Sequence, residues 1–177
     1  MLVGCACLLV AAGFISEVPP ALATRLICTN ETTGVFTQTK TMPDKRQLVS
    51  SGTFRIRPGR DFEWAVKEPF ETCFYSTSQK YVYTNEDERV ERELAEMPYF
   101  SRLGAVMAGD YSLFFSTFDA LYKEEDGRFF VKAKPKVREL KAVLRQVEVE
   151  GGESGFAIIS TFPDGTAFRI DIEEDGK

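Results

Sequence analysis

Residues 48–66 read LVSSGTFRIRPGRDFEWAV, which is two runs of alternating apolar and polar side chains separated by Pro58-Gly59. Side chains of a strand point alternately to the two faces of a sheet, so Phe62, Trp64 and Val66 fall on one face. Proline followed by glycine is typical of a turn. The stretch therefore predicts two consecutive β-strands with one apolar face.

The same pattern extends in both directions along the chain. Turn residues separate the runs at spacings of about ten residues, as in an antiparallel meander. One of these turns is Pro163-Asp164-Gly165, before the last run. The further predicted strands are 34–40, 70–76, 79–84, 128–134, 146–150, 156–162 and 166–172.

The middle of the chain has a different character. Residues 86–96 are highly charged and are typical of a solvated connector or an exposed helix. Pro98 can open a helix, and Asp110 can cap a second one that continues to Leu121. A third predicted helix covers 136–144. The sequence thus predicts an α+β domain, with helices gathered on one face of an antiparallel sheet.

The first 23 residues are organised like a secretory signal peptide. Met1–Phe14 is almost wholly apolar, and the segment ends in Ala21-Leu22-Ala23, the type of sequence found at cleavage sites. We expect cleavage after Ala23 and one mature domain, residues 24–177. A lipoprotein signal with an acylated Cys5 is the alternative. No Lys or Arg precedes the apolar run, which leaves a start upstream of Met1 open.

The chain has a net charge of −5, and Glu17 is the one charged residue of the signal segment, so the mature domain carries −4. Binding to nucleic acid needs a basic face that neutralises phosphates, and we expect no nucleic acid partner. No second long apolar segment follows, so a soluble mature protein is expected.

Two cysteines, Cys28 and Cys73, remain after cleavage. In an oxidising compartment an isolated pair is expected to form a disulfide. Two separate buried thiols and a redox or metal role are the alternatives. A tetrahedral zinc site needs four ligands, which two thiols in a chain without histidine do not supply, so no metal is expected.

The absence of histidine argues against an enzyme, because it removes Ser-His-Asp and Cys-His catalysis and the commonest general base near neutral pH. The carboxylates concentrate in the charged runs 86–88, 124–126 and 173–175, which are typical of solvated surface. The glycine-rich loop 151–155 lacks the lysine of a phosphate-binding loop. We therefore expect no catalytic residue and no cofactor.

One basic stretch stands out. It is either a solvated strand and helix face or a docking surface for an acidic partner or for anionic headgroups. Its cations are Lys132, Lys134, Lys136, Arg138, Lys141 and Arg145.

The domain is rich in aromatic residues, with fifteen Phe, six Tyr and one Trp. Periodicity alone fits a packed core and a ligand cavity equally well, because rigid rings can also keep a pocket open to apolar ligands. The candidate lining residues are Phe54, Ile56, Phe62, Trp64, Phe74, Phe100, Leu103, Met107, Leu113, Phe114 and Phe118.

Several short motifs follow one another in a recognisable order: Phe36-Thr37-Gln38, Ser51-Gly52-Thr53-Phe54, Arg57-Pro58, Phe62-Glu63-Trp64 and Pro69-Phe70. This order resembles the N-terminal half of the LolA family, the periplasmic carriers of outer-membrane lipoproteins. Gly109-Asp110 and the closing Asp164-Gly165 hairpin are also similar to that family. The resemblance covers nearly all of the mature chain and is closest to the divergent LolA-like branch.

The resemblance implies an open, strongly curved antiparallel sheet, a half-barrel, covered by a short helical lid with a hydrophobic cavity between them. It implies a periplasmic monomer that receives lipoproteins from an inner-membrane ABC transporter and passes them to an outer-membrane acceptor. It also implies that Arg57 ties the lid to the sheet, although regular alternation would place Arg57 opposite Phe54 and Ile56.

Two alternatives remain open at this point. One is a LolA-like module for another hydrophobic cargo, such as a glycolipid or a pigment precursor in a dedicated export pathway. The other is an exported interaction domain whose core is filled.

Overall fold

The structure is a computed structural model that describes residues 31–57, 61–77, 79–93, 116–152 and 155–175. These residues form eleven strands and one short helix. The elements are β1 (Thr32–Thr41), β2 (Gln47–Arg57), β3 (Asp61–Glu68), β4 (Thr72–Thr77), β5 (Lys80–Thr84), β6 (Arg89–Glu93), β7 (Phe118–Glu125), β8 (Arg128–Pro135), α1 (Arg138–Val143), β9 (Gln146–Gly151), β10 (Phe156–Thr161) and β11 (Ala167–Glu174).

All eleven strands belong to one antiparallel sheet in the order β6-β5-β4-β3-β2-β1-β11-β10-β9-β8-β7. Two meanders, β1–β6 and β7–β11, are joined in the middle by the pairing of the first strand with the last, from Gly34↔Glu174 to Thr41↔Ala167. The edge strands β6 and β7 do not pair with each other, so the sheet does not close into a barrel. The predicted open antiparallel sheet is confirmed in this respect.

Tight turns end the strands where the sequence places residues that tolerate them. Asp126 and Gly127 both have positive φ, 52° and 73°, which is the geometry that suits a two-residue hairpin between β7 and β8. Between β10 and β11 the Asp164 carboxylate accepts the Thr166 N–H at 2.8 Å, and Gly165 has a φ of 87°. The turn predicted at 163–165 is confirmed.

Two sequence predictions about the middle of the chain are wrong. Residues 89–93, expected in a connector or exposed helix, form β6 and pair with β5 over its full length. Phe118 and Leu121, expected on the second helix, lie in β7, which pairs with β8 from Phe118↔Pro135 onward. In both cases hydrogen bonding to the next strand of a hairpin decides a conformation that the pattern within the strand itself left ambiguous.

Of the predicted lid, the described residues include only the helical pair Ser116-Thr117 before β7, and the described part of the chain contains almost no helix. The single described α-helix, α1, lies within the helix predicted at 136–144. Residues 94–115, which hold most of the two predicted lid helices, lie outside the described part of the chain. The helical lid therefore stays a prediction.

The strand register sorts the side chains onto two faces. Residues that pair across strands share a face, and the pairs Phe36↔Gly52, Phe54↔Trp64 and Phe36↔Ile172 begin a series that continues across the sheet. We call this side the apolar face. Its members include Phe36, Phe54, Ile56, Phe62, Trp64, Val66, Phe74, Tyr81, Tyr83, Ile170, Ile172, Phe156, Ile158, Val147, Val149, Phe129, Val131, Ala120, Tyr122 and Phe118.

Two buried clusters anchor the apolar face, one in each half of the sheet. Phe36, Phe54 and Ile172 form the first, on the central strands β1, β2 and β11. Tyr122, Phe129 and Val131 form the second, on β7 and β8. Phe156 packs against both, so the apolar contacts run from one half of the sheet into the other.

Gly34 shows how closely the central strands approach one another. A β-carbon there would lie 2.1 Å from the Glu173 carbonyl oxygen and 2.7 Å from the Phe54 ring. The first contact is with backbone, which cannot rotate away. The position therefore requires glycine if the pairing of β1 with β11 is to be kept.

We predict that Gly34→Ala destabilises the protein by about 1–3 kcal/mol, the usual cost of overpacking a close-packed site. Urea denaturation of the purified protein measures this. Gly152→Ala is the matched control, because the nearest atoms to its β-carbon would be 3.9 Å away. Equal midpoints for the two variants would contradict the close approach at Gly34.

Candidate functional site

Aromatic rings form a continuous row on the apolar face of strands β1 to β5. Trp64 stands at its centre, with ring centroids 3.7 Å from Phe36, 6.2 Å from Phe54 and 6.0 Å from Phe62. Phe62 continues to Phe74 at 6.3 Å, and Phe74 to Tyr81 at 5.5 Å. We call these six side chains the aromatic row. Such offset contacts favour a rigid apolar surface.

The shortest contact of the row depends on a residue that has no side chain. Phe36 and Trp64 come from β1 and β3, and β2 lies between them. Gly52 pairs directly with Phe36, and a β-carbon at position 52 would lie 2.0 Å from the Ala65 carbonyl oxygen. Because nothing stands above Gly52, the two rings stack across β2 with an interplanar angle of 21°.

Burial varies along the aromatic row. Phe36 and Phe54 are 2% and 5% exposed, at the base of the row. Phe62, Trp64, Phe74 and Tyr81 are only partly buried, so they present ring surface beyond their contacts with one another. Part of the row is thus fixed as core, and the rest can contact an apolar ligand.

The structure brings five of the predicted lining residues together on this face: Phe54, Ile56, Phe62, Trp64 and Phe74. Phe118 lies on the same face but on β7, at the far edge of the sheet. The other candidates, Phe100, Leu103, Met107, Leu113 and Phe114, lie outside the described residues.

Sequence reasoning missed several members of the face. Phe36 was quoted only as part of a motif, although its strand alternates regularly and its ring is the closest neighbour of Trp64. Tyr81, Tyr122 and Phe129 were also missed. The alternation of 128–134 could have identified Phe129, whereas Tyr122 directly follows the stretch that was wrongly expected to be helical up to Leu121.

The opposite side of the sheet, the polar face, carries ion pairs between strands. Arg55 on β2 contacts Glu63 on β3 at 2.8 Å, and Lys132 on β8 contacts Glu148 on β9 at 2.9 Å. Arg169 on β11 contacts Glu150 on β9 at 2.9 Å. Most are exposed and contribute little each to stability. These charged side chains keep the polar face hydrated, in contrast to the apolar face.

Arg57 lies on the polar face, as regular alternation predicts, and not beside Phe54 and Ile56. Its guanidinium donates to both carboxylate oxygens of Asp61, at 2.8 and 2.5 Å, and the Tyr75 hydroxyl donates to the same carboxylate at 3.3 Å. The hydrogen bonds from Arg57 hold the pKa of Asp61 below its ordinary value. The lid that Arg57 is predicted to latch lies outside the described residues, so the latch stays a prediction.

Cys73 has a free thiol on β4, and burial raises its pKa. Cys28 lies outside the described residues. The disulfide expected between them is therefore not seen in the structure and stays a prediction.

The described residues contain no group of three Cys, Asp or Glu side chains arranged to hold a metal ion. In the same part of the chain no helix is both long and apolar enough to cross a membrane.

Comparison with known proteins finds likeness in structure only. The structure is similar to that of a LolA superfamily protein from Nitrosomonas europaea, with a TM-score of 0.45 and 9% sequence identity over 89% of this chain and 92% of that one. That superfamily is the one the motif order resembles. No family model matches the sequence, and no curated protein matches it.

A second similar structure is a domain from Vibrio parahaemolyticus described as an outer membrane lipoprotein-sorting protein. Its TM-score is 0.43 and its identity 5%, over 89% of this chain and 91% of that one. At such low identity and TM-score these likenesses carry no conclusion about function.

We predict that Asp61→Asn lowers stability at neutral pH. The pKa of Asp61 is lower in the folded state than in the unfolded state. The ionised carboxylate therefore contributes to the free energy of unfolding above the unfolded-state pKa of about 3.9, and this contribution is lost as the pH falls through the folded-state pKa. The difference between wild type and variant in urea midpoint should therefore shrink below about pH 4.

Asp44→Asn is the matched control, because Asp44 forms an exposed pair with Arg46 in the β1–β2 turn. It should change the midpoint little at any pH. A deficit for Asp61→Asn that stays constant down to acid pH would contradict a charge-dependent role of this carboxylate.

Proposed function

We propose that the protein is an exported carrier that holds the acyl chains of lipoproteins against the apolar face and carries them towards the outer membrane. The observation that supports it best is the aromatic row, whose partly buried rings form an extended apolar surface on one side of an open sheet. An acyl chain laid on such a surface gains about 0.8 kcal/mol per buried methylene.

In this proposal residues 94–115 form the helical lid over the face. They connect β6 to β7, the two edges of the sheet, and their sequence is rich in apolar side chains. The curved sheet and the lid would enclose the cavity that the resemblance implies. Arg57, at the end of β2, is the proposed latch between them, a role that requires the lid to reach its position beside Asp61 on the polar face.

Transport also requires export and release. The signal segment 1–23 supports export to the periplasm, where an inner-membrane ABC transporter and an outer-membrane acceptor are the proposed partners. No reaction is needed, because contacts with partly buried rings are individually weak and allow both loading and release. The protein is proposed to act as a monomer and not as an enzyme.

Trp64 is the only tryptophan of the chain, so its emission reports directly on the face. We predict that a fluorescent fatty-acyl probe binds the purified protein and takes up energy from Trp64. Phe62→Gln should weaken binding about tenfold, since burying an aromatic side chain contributes about 1.5–3 kcal/mol.

Phe130→Gln is the matched control, because Phe130 is also partly buried but lies on the polar face, one residue away from Phe129 and Val131. Its probe affinity should equal that of wild type. No probe binding by the wild-type protein, or an equal loss in both variants, would contradict the proposed site and favour the exported interaction domain with a filled core.

The cargo is a separate question, because the apolar face would serve any long hydrophobic chain. A glycolipid or a pigment precursor in a dedicated export pathway is the second candidate, which the same aromatic row supports. We predict that mass spectrometry of the protein purified from the periplasm finds triacylated lipoprotein. If a glycolipid or pigment precursor co-purifies instead, the lipoprotein cargo is contradicted and that compound becomes the proposed cargo.

A further inference from the structure

An open cleft of about 430 Å³ lies at one end of the sheet, beside α1. Its walls are the end of β8, the helix and the turn between β10 and β11. Arg145 donates its backbone N–H to the Thr161 carbonyl at 2.8 Å, which ties the end of the helix segment to β10. The lining residues are Lys134, Pro135, Lys141, Leu144, Arg145 and Pro163.

The three cations of the cleft differ from those of the polar face. Lys132 and Lys136, their neighbours in sequence, form ion pairs with Glu148 and Asp119. Lys134, Lys141 and Arg145 have no carboxylate within 4.0 Å in the part of the chain that the structure describes. In a chain with a net charge of −5, the cleft therefore groups three cations that form no ion pair among the described residues.

The same end of the sheet exposes large apolar side chains. Antiparallel pairing places the start of β2, the β3–β4 turn, the β10–β11 turn and α1 at this end, which we call the α1 end. Six large hydrophobic residues are exposed among those described, and four lie here. They are Leu48 (61% exposed), Val49 (56%), Phe70 (74%) and Val143 (50%).

We propose that the α1 end docks on the surface of a membrane rich in anionic phospholipid. Cations attract the phosphates of the lipid surface, and exposed apolar side chains enter the boundary between headgroups and acyl chains. A small soluble anion would account for the cleft but not for Phe70 and Leu48. An anionic bilayer accounts for both, because it is charged at its surface and apolar beneath.

Membrane docking does not rest on the proposed carrier function. The acyl probe tests the apolar face with single chains in solution, whereas docking concerns an intact lipid surface and the end of the sheet. If the protein binds the probe but not the vesicles, only the docking proposal is overturned. If it binds the vesicles but not the probe, only the proposed carrier function is overturned.

The test is sedimentation of the full protein with two kinds of vesicle, phosphatidylcholine alone and a mixture in which half of it is replaced by phosphatidylglycerol. We expect binding to the mixed vesicles and not to phosphatidylcholine, which has the same chains without the net charge. Binding should weaken in high salt, since screening shortens the reach of the charges from about 10 Å at 0.1 M to about 3 Å at 1 M.

The charge variant combines Lys134→Gln, Lys141→Gln and Arg145→Gln. Each cation near the lipid surface is expected to change the partition coefficient about fivefold, so the variant should partition onto the mixed vesicles about a hundredfold less. All three side chains are exposed, so the urea midpoint should not change. Phe70→Ser should reduce partitioning about tenfold through the apolar contribution.

The charge control removes three cations at the opposite end of the sheet, where β5 and β8 begin and β7 ends: Lys80→Gln, Lys123→Gln and Arg128→Gln. The apolar control is Leu121→Ser, in the middle of β7 and 48% exposed. Both controls should bind mixed vesicles like the wild type.

Equal binding to both vesicle types, or equal loss in the charge variant and its control, would overturn the docking proposal. Failure of the wild type to bind mixed vesicles at low salt would overturn it as well. The α1 end would then be expected to bind an acidic protein instead of a membrane.

Discussion

Phe36 and Trp64 belong to strands that are not neighbours, and their rings can stack only where the strand between them leaves room. That room exists at Gly52. A one-residue slip of β2 would put Ser51 or Thr53 between the rings and would turn Phe54 to the polar face, since the side-chain period of a strand is two. The stacking, the glycine and the register of three strands therefore depend on one another, and the aromatic row depends on all three.

The central strand β1 extends this constraint to the whole sheet. It pairs with β2 on one side and β11 on the other, so Phe36 contributes to the same buried cluster as Ile172. Because apolar and polar side chains alternate along the strands of both meanders, the apolar face continues to both edges of the sheet. Ion pairs such as Arg55–Glu63 and Lys132–Glu148 lie on the other side. The difference between the two faces is what makes one of them available for apolar contacts.

Much of this was readable from the sequence, because alternation is a local signal. It identified nine of the eleven strands closely enough to put Phe54, Phe62, Trp64 and Phe74 on one face. It failed at β6, whose charged residues resemble a solvated helix although Val90 faces Tyr83 on β5. It failed at Phe118 because an apolar run fits either period. The pairings of β6 with β5 and β7 with β8 settle these cases, and no local pattern contains them.

For Arg57 the family resemblance suggests a role, but strand alternation predicts on which face of the sheet its side chain lies. The resemblance gives it a role towards the lid, whereas alternation places it on the polar face, where it binds Asp61. The proposed sites are likewise separated by position: the aromatic row lies on β1 to β5, and the cations of the cleft lie in the other half of the sheet, at the end of β8 and beside α1. Affinity for a hydrophobic cargo depends on ring area, whereas attraction to a charged surface depends on Lys134, Lys141 and Arg145. If both proposals hold, a substitution in one place would leave the other intact, and cargo binding could change without a change in docking.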